Sequence, residues 1–103
     1  MKIIGTFYFK KTINGNIIGE YTNNKMESLS VECAQQIIEK SDLFEGIYKS
    51  TWIEGEKSES SSLEITLQSK SKYELIWKSN SNAVLFRGNG FVVDKMLIGT
   101  YSD

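Results

Sequence analysis

The sequence contains no histidine and only one cysteine, Cys33. Without histidine, ordinary His/Cys metal sites and histidine-based acid or base catalysis are excluded. A single cysteine also rules out a disulfide within the chain, so no covalent link staples the fold. We therefore expect no catalytic residue set, no metal site and no cofactor, and we expect that the protein is not an enzyme.

The chain also has little net charge and no long apolar run. The chain has 12 basic and 13 acidic residues and a formal net charge of −1, which leaves no overall field to attract nucleic acid or anionic lipid. No window approaches the roughly 20 apolar residues that a membrane helix needs. The first apolar run lacks the small-residue cleavage site of a signal peptide. We expect a cytoplasmic protein, or a mature chain whose leader is not present, with no nucleic-acid or membrane partner.

Proline is absent, so nothing interrupts extended strands. Hydrophobic residues make up 40% of the 103 residues and aromatic residues 12%, which is too apolar for a disordered chain and sufficient for one core. We expect a single domain over residues 1–103.

The clearest strand pattern flanks the pair Asp94-Lys95. Apolar residues alternate on both sides, with Val84, Phe86, Gly88, Gly90 and Val92 on one face and Leu97, Gly99 and Tyr101 opposite them. Three earlier runs alternate in the same way, with inward sets Phe44, Gly46, Tyr48, Ser50 and Trp52, then Leu63, Ile65 and Leu67, then Tyr73, Leu75 and Trp77. These patterns predict antiparallel strands with one buried face.

Residues 3–23 predict a further hairpin around Asn14-Gly15-Asn16. A two-residue turn would place Phe9 opposite Glu20 and mix polar with apolar partners. A three-residue loop, with Asn16 in the left-handed conformation, places Phe9 opposite Tyr21 instead. We favour the second register.

Residues 26–40 fit two structures. Asn24 followed by Glu27 resembles a capping box, and Met26, Leu29, Cys33 and Ile37 recur at helical spacing. This predicts a helix over about residues 31–40, with 26–30 ambiguous because residues 28–33 also alternate as a strand does. If residues 31–40 are a helix, the chain has seven strands. If residues 28–33 are a strand, it has eight, and an even number of antiparallel strands can close an up-and-down barrel. In that second arrangement a short helix caps one end of the barrel.

We accordingly predict a mainly β fold, an antiparallel up-and-down barrel or strongly curled sheet of seven or eight strands with one helix. Gly-x-aromatic recurs at Gly5-Thr6-Phe7, Gly19-Glu20-Tyr21, Gly46-Ile47-Tyr48 and Gly99-Thr100-Tyr101. Glycine lets a strand bend and leaves space for a neighbouring ring, as small barrels require. The same glycine could instead let a ligand approach the backbone.

Residues 43–103 contain a set of short repeating strings: Phe44-Glu45-Gly46-Ile47-Tyr48 with Thr51-Trp52, Leu63-Glu64-Ile65, Tyr73-Glu74-Leu75-Ile76-Trp77, and Phe86-Arg87-Gly88-Asn89-Gly90 with Leu97-Ile98-Gly99-Thr100-Tyr101. Together these strings resemble the repeating pattern of lipocalin-like and avidin-like (calycin-type) small barrels. The resemblance implies an antiparallel barrel with an interior that takes a small molecule.

Six residues are candidates for ligand binding: Tyr48, Trp52, Tyr73, Trp77, Arg87 and Tyr101. The five aromatic residues fall on predicted inward faces and would form a cage for an apolar or planar ligand, or else simply fill the core. Arg87 could bind a carboxylate or phosphate, or point outward and pair across its strand. We expect a non-enzymatic domain that binds a small, mostly apolar ligand. The alternative is a protein-interaction module, an inhibitor or assembly factor with a fully packed core that binds through a sheet edge or loops.

Overall fold

The structure is a computed structural model that describes residues 2–39 and 43–103. Its strands are β1 (Ile4–Lys11), β2 (Ile17–Asn23), β3 (Ser30–Glu39), β4 (Gly46–Glu54), β5 (Lys57–Ser69), β6 (Lys72–Lys78), β7 (Val84–Val93) and β8 (Met96–Ser102). Each strand pairs antiparallel with the next, and β1 pairs with β8, so the sheet closes into a barrel. The predicted up-and-down barrel is confirmed, with the even strand count. This closed antiparallel architecture is also what the resemblance implied.

The inward faces of β4, β5 and β6 are those that alternation predicts. Their buried side chains include Tyr48, Ser50, Leu63, Ile65, Tyr73, Leu75 and Trp77. Because successive side chains of a strand point to opposite faces, each strand contributes every second residue to the interior. The core is therefore one continuous cluster inside the barrel.

The β7–β8 hairpin also has the predicted register, with Gly88 opposite Tyr101 and Val92 opposite Leu97. Asp94 and Lys95 form its turn, with φ values of 52° and 68°. Left-handed conformations at both central residues give a turn whose twist matches that of the two strands.

The predicted register of the first hairpin is wrong. Phe9 lies opposite Gly19, not Tyr21, so the loop spans residues 12–16 and Ile13 is fully exposed. The left-handed residue is Gly15, with a φ of 81°, while the Asn16 side chain accepts a hydrogen bond from the Gln36 backbone N–H at 2.9 Å. The error is two residues, so Phe9 and Tyr21 remain on one face of the hairpin, as predicted.

The predicted helix is also wrong, because β3 is extended from Ser30 to Glu39 and none of the described residues is helical; residue 40, the last of the predicted helix, lies outside the described ranges. The backbone of β3 bonds to β2 on one side and β4 on the other, which outweighs a local helical pattern. The alternative with a strand over 28–33 was right about the strand count and wrong about a capping helix. The Asn24 side chain does not cap a helix but accepts a hydrogen bond from the Ile4 backbone N–H at 3.0 Å. No described helix is long and apolar enough to cross a membrane.

The two ends of the barrel differ in how they are filled. At the closed end, which includes the loops at residues 12–16, 70–71 and 94–95, Phe44 is fully buried and its ring lies 6.1 Å from that of Tyr73. Lys11 Nζ donates to the Gly15 carbonyl at 2.8 Å and to the Tyr48 hydroxyl at 3.2 Å, across the mouth of this end. The opposite end, with the loops at 24–29, 55–56 and 79–83, we call the open end.

Candidate functional site

A cavity of about 340 Å³ lies within the open end of the barrel. Six of the residues that line it are aromatic and make up what we call the aromatic wall: Phe7, Tyr21, Trp52, Trp77, Phe86 and Tyr101. The volume falls at the lower end of the range of about 300–1,000 Å³ that small-molecule pockets span. A cavity of this size and lining can therefore enclose a small, mostly apolar molecule.

Tyr101 lies at the centre of the aromatic wall. Its ring centroid is 5.5 Å from that of Phe86, 5.9 Å from Trp77 and 6.4 Å from Tyr21. The ring packs over Gly5, where a Cβ atom would lie 2.6 Å from the Tyr101 ring. This is the role that the Gly-x-aromatic pattern predicts, because a glycine in the neighbouring strand leaves space for the ring.

Glu32 lines the cavity and is the charged side chain that lies deepest in it. It is only 5% exposed. The Trp77 indole Nε1 donates to its Oε2 atom at 2.8 Å, and the Ser50 hydroxyl donates to the same oxygen. β3 places Glu32 inward between Ser30 and Ala34, so the carboxyl lies in the cavity wall beside Trp77.

Burial raises the pKa of the Glu32 carboxyl above the usual glutamate value, although the hydrogen bonds from Ser50 and Trp77 lower it in part. A carboxylate loses hydration when it is buried, which favours the protonated form. Burial likewise raises the pKa of Tyr101 and of Tyr21, and the charge of Glu32 raises both further. A buried carboxyl with a raised pKa in a cavity marks a candidate functional site.

Polar groups surround the mouth of the cavity. The Asn23 side-chain amide donates to the Tyr101 hydroxyl at 3.0 Å and so holds the ring in place. Lys25 and Glu54 also line the mouth and are both exposed. The site therefore has an apolar aromatic wall, one buried carboxyl and an exposed polar rim.

The structure brings together three of the six predicted ligand-binding residues. Trp52, Trp77 and Tyr101 line the cavity. Tyr48 and Tyr73 are buried at the closed end, where they fill the core, as the alternative interpretation predicts. Arg87 lies on the outer face of β7 and is exposed, so it does not reach the cavity.

Sequence reasoning missed Glu32, Phe7, Tyr21 and Phe86 as members of this site. The three aromatic residues occupy inward positions that alternation could have identified once the barrel ends were known. Glu32 carries no such signal, because it belongs to the polar set of an alternating stretch and would ordinarily be assigned to the outer face.

Among the described residues, no group of three or more His, Cys, Asp or Glu side chains could hold a metal ion. Comparison of the chain with protein-family models, with curated proteins and with solved structures finds no match.

Proposed function

We propose that this protein is a non-enzymatic binding domain that takes a small, mostly apolar ligand into the open end of its barrel. The observation that carries the proposal is the contrast between the two ends, since one is filled by Phe44 and its neighbours and the other contains a cavity of about 340 Å³. An eight-stranded barrel is just wide enough for side chains to fill its interior. Unfilled volume with an aromatic wall is therefore a feature that a ligand would use.

The resemblance to lipocalin-like barrels supports the same proposal, because it implied a small-molecule interior within a closed antiparallel barrel. The alternative, a protein-interaction module, was predicted to have a fully packed core. The cavity weighs against that alternative, and the closed circuit of described strands leaves no unpaired sheet edge for a partner. A partner would have to use the loop ends or the outer face. A cytoplasmic location stays a prediction.

The intrinsic fluorescence of Trp52 and Trp77 tests the proposal directly, because both indoles line the cavity. The protein would be titrated with a library of neutral apolar molecules of one and two rings. We expect a saturable change in emission with at least one of them. No saturable change with any member, together with a native complex recovered from cells, would favour the interaction module.

A matched pair of variants locates the binding. Ser30 lines the cavity, whereas its neighbour Val31 points outward and is 52% exposed. Ser30→Phe is expected to fill the cavity and abolish the fluorescence change, while Val31→Phe should leave it intact. Equal effects of the two changes would place the ligand outside the barrel.

A further inference from the structure

The Glu32 carboxyl has one oxygen that the protein does not use. Ser50 and Trp77 both donate to Oε2, and no residue of 2–39 or 43–103 donates to Oε1. The residue lines the cavity although it is only 5% exposed. Its second oxygen is therefore available to a hydrogen-bond donor that enters the cavity.

The carboxyl also lacks a counter-charge. Among the described residues the ion pair found joins Lys78 and Glu64 on the outer surface. Lys25 and Glu54, at the mouth, carry opposite charges, so the rim contributes no net charge to compensate Glu32. Buried charges in proteins are normally paired, because an isolated ion loses its hydration without replacement.

The aromatic wall adds a second attraction for positive charge. Ring faces attract a cation that lies within about 6 Å of the ring centroid, and cages of several aromatic residues recognise ammonium groups. Here the rings of Phe7, Trp77 and Tyr101 form a contiguous set, with centroid separations of 5.8 Å and 5.9 Å along it. The same rings provide apolar surface for a ligand body.

We propose that the ligand is an organic ammonium ion, in which a protonated amine donates to Glu32 and a small aromatic or aliphatic body packs against Trp77 and Tyr101. This inference rests on the proposed function and names the chemical class of its ligand. It assigns to Glu32 the role of selecting a cation over neutral and anionic molecules of the same shape.

The pH dependence of binding follows from the groups that face Glu32. These are Ser50 from β4, Trp77 from β6, Tyr21 from β2, Tyr101 from β8, and Lys25 and Glu54 at the mouth. Burial raises the pKa of Glu32, and only the carboxylate form pairs with an ammonium ion. Affinity for an ammonium probe should therefore increase as the pH rises through that pKa.

The test uses three probes with one shared body: 2-phenylethylammonium, the neutral 2-phenylethanol and the anionic 3-phenylpropanoate. Binding is measured by titration calorimetry on the whole chain, and the series is repeated with naphthyl bodies. We expect the ammonium probe to bind roughly tenfold or more tightly than the neutral one, as a charged hydrogen bond would provide. Glu32→Gln should remove this preference while the neutral probe keeps its affinity.

Glu74→Gln serves as the control, because it removes a carboxyl from the outer face of β6, the strand that also carries Trp77. It should change ammonium binding by no more than about twofold, since solvent screens a charge on the outer face. Thermal unfolding of both variants establishes that they fold. Equal affinities for the ammonium and neutral probes, or an ammonium preference that survives Glu32→Gln, would overturn this inference and leave the proposed function standing. Failure of all probes of both sizes to bind would overturn both.

Discussion

At the scale of single residues, Glu32 combines two costs that folded proteins usually avoid. It is a carboxyl that is almost completely buried, and its hydrogen bonds from Ser50 and Trp77 both fall on one oxygen. Burial raises its pKa, so the native state holds this proton more tightly than the unfolded chain does. This burial, with one carboxyl oxygen left without a donor among the described residues, is the observation on which the proposed role of Glu32 rests.

The raised pKa makes the free energy of unfolding depend on pH. Between the ordinary glutamate value of 4.5 and the higher pKa of the folded state, the native protein binds more protons than the unfolded chain. Stability therefore decreases as the pH rises through this window and levels off above it. Relative to Glu32→Gln, the wild type should lose up to about 1.4 kcal/mol per pH unit there.

Urea unfolding of the wild type and of Glu32→Gln at a series of pH values measures this difference, and comparing the two curves cancels the other carboxyls. The chain has no histidine to titrate in the same window. Parallel curves for wild type and Glu32→Gln would mean that the carboxyl has no shifted pKa in the native state.

At the scale of elements, β3 is the strand that departs most from the usual pattern. Its inward positions hold Ser30, Glu32 and Ala34, whereas Val31 and Ile37 lie on the outer face at 52% and 60% exposure. The pairing with β2 explains which side chains of β3 point inward. Ile17, which is buried, lies opposite Ala34, so the core residues of β2 determine which face of β3 points inward.

Two substitutions in β3 test whether this segment is a strand or a helix with an apolar stripe. Ala34 is 1% exposed and faces the core, so Ala34→Asp should cost several kcal/mol, about 3–5. Ile37 lies on the outer face at a break in the pairing with β4, so Ile37→Asp should cost no more than about 1 kcal/mol. Equilibrium unfolding in denaturant measures both. A large loss for Ile37→Asp would contradict the strand and support the helical arrangement.

At the scale of the whole molecule, the tightly packed part of the core and the cavity lie at opposite ends of the barrel axis. Phe44 and Tyr48 pack the closed end, with relative exposures of 0% and 1%. Phe86 and Trp52 stand at the open end, where both remain partly exposed and line the cavity. The closed end can therefore hold the barrel together while the side chains around the cavity remain available to a ligand.

Truncation of one phenylalanine at each end tests this division. Phe44→Ala should cost about 3–5 kcal/mol, because it leaves a void in a packed core. Phe86→Ala should cost no more than about 2 kcal/mol, because its ring is only partly buried, but it should weaken binding of the neutral apolar probes. Denaturant unfolding and fluorescence titration of the same two variants measure both effects. The division fails if Phe86→Ala proves the more destabilising change or leaves probe binding unaltered.

Much of the barrel was predictable because strand faces depend on local alternation. The inward faces of β4 to β6 and the register around Asp94-Lys95 follow directly from the order of apolar and polar residues. The aromatic wall was predictable in part: Trp52, Trp77 and Tyr101 are inward residues in both the sequence pattern and the structure. What alternation alone does not encode is position along the barrel axis, and for that reason Tyr48 and Tyr73 were grouped with residues of the opposite end.

The order of apolar and polar residues is enough to predict a mainly β fold, most of its strands and the faces that those strands bury, because a period of two is a property of the chain. That β3 is a strand, with Glu32 on its inward face, depends instead on contacts between distant parts of the chain. The apolar residues of 28–33 fit both the spacing of a helix and the alternation of a strand. The strand is favoured by backbone hydrogen bonds to β2 and β4, which form only when the barrel closes. The position of Glu32 in the cavity wall depends on that same choice, so the carboxyl of the candidate site follows from the fold and not from a motif.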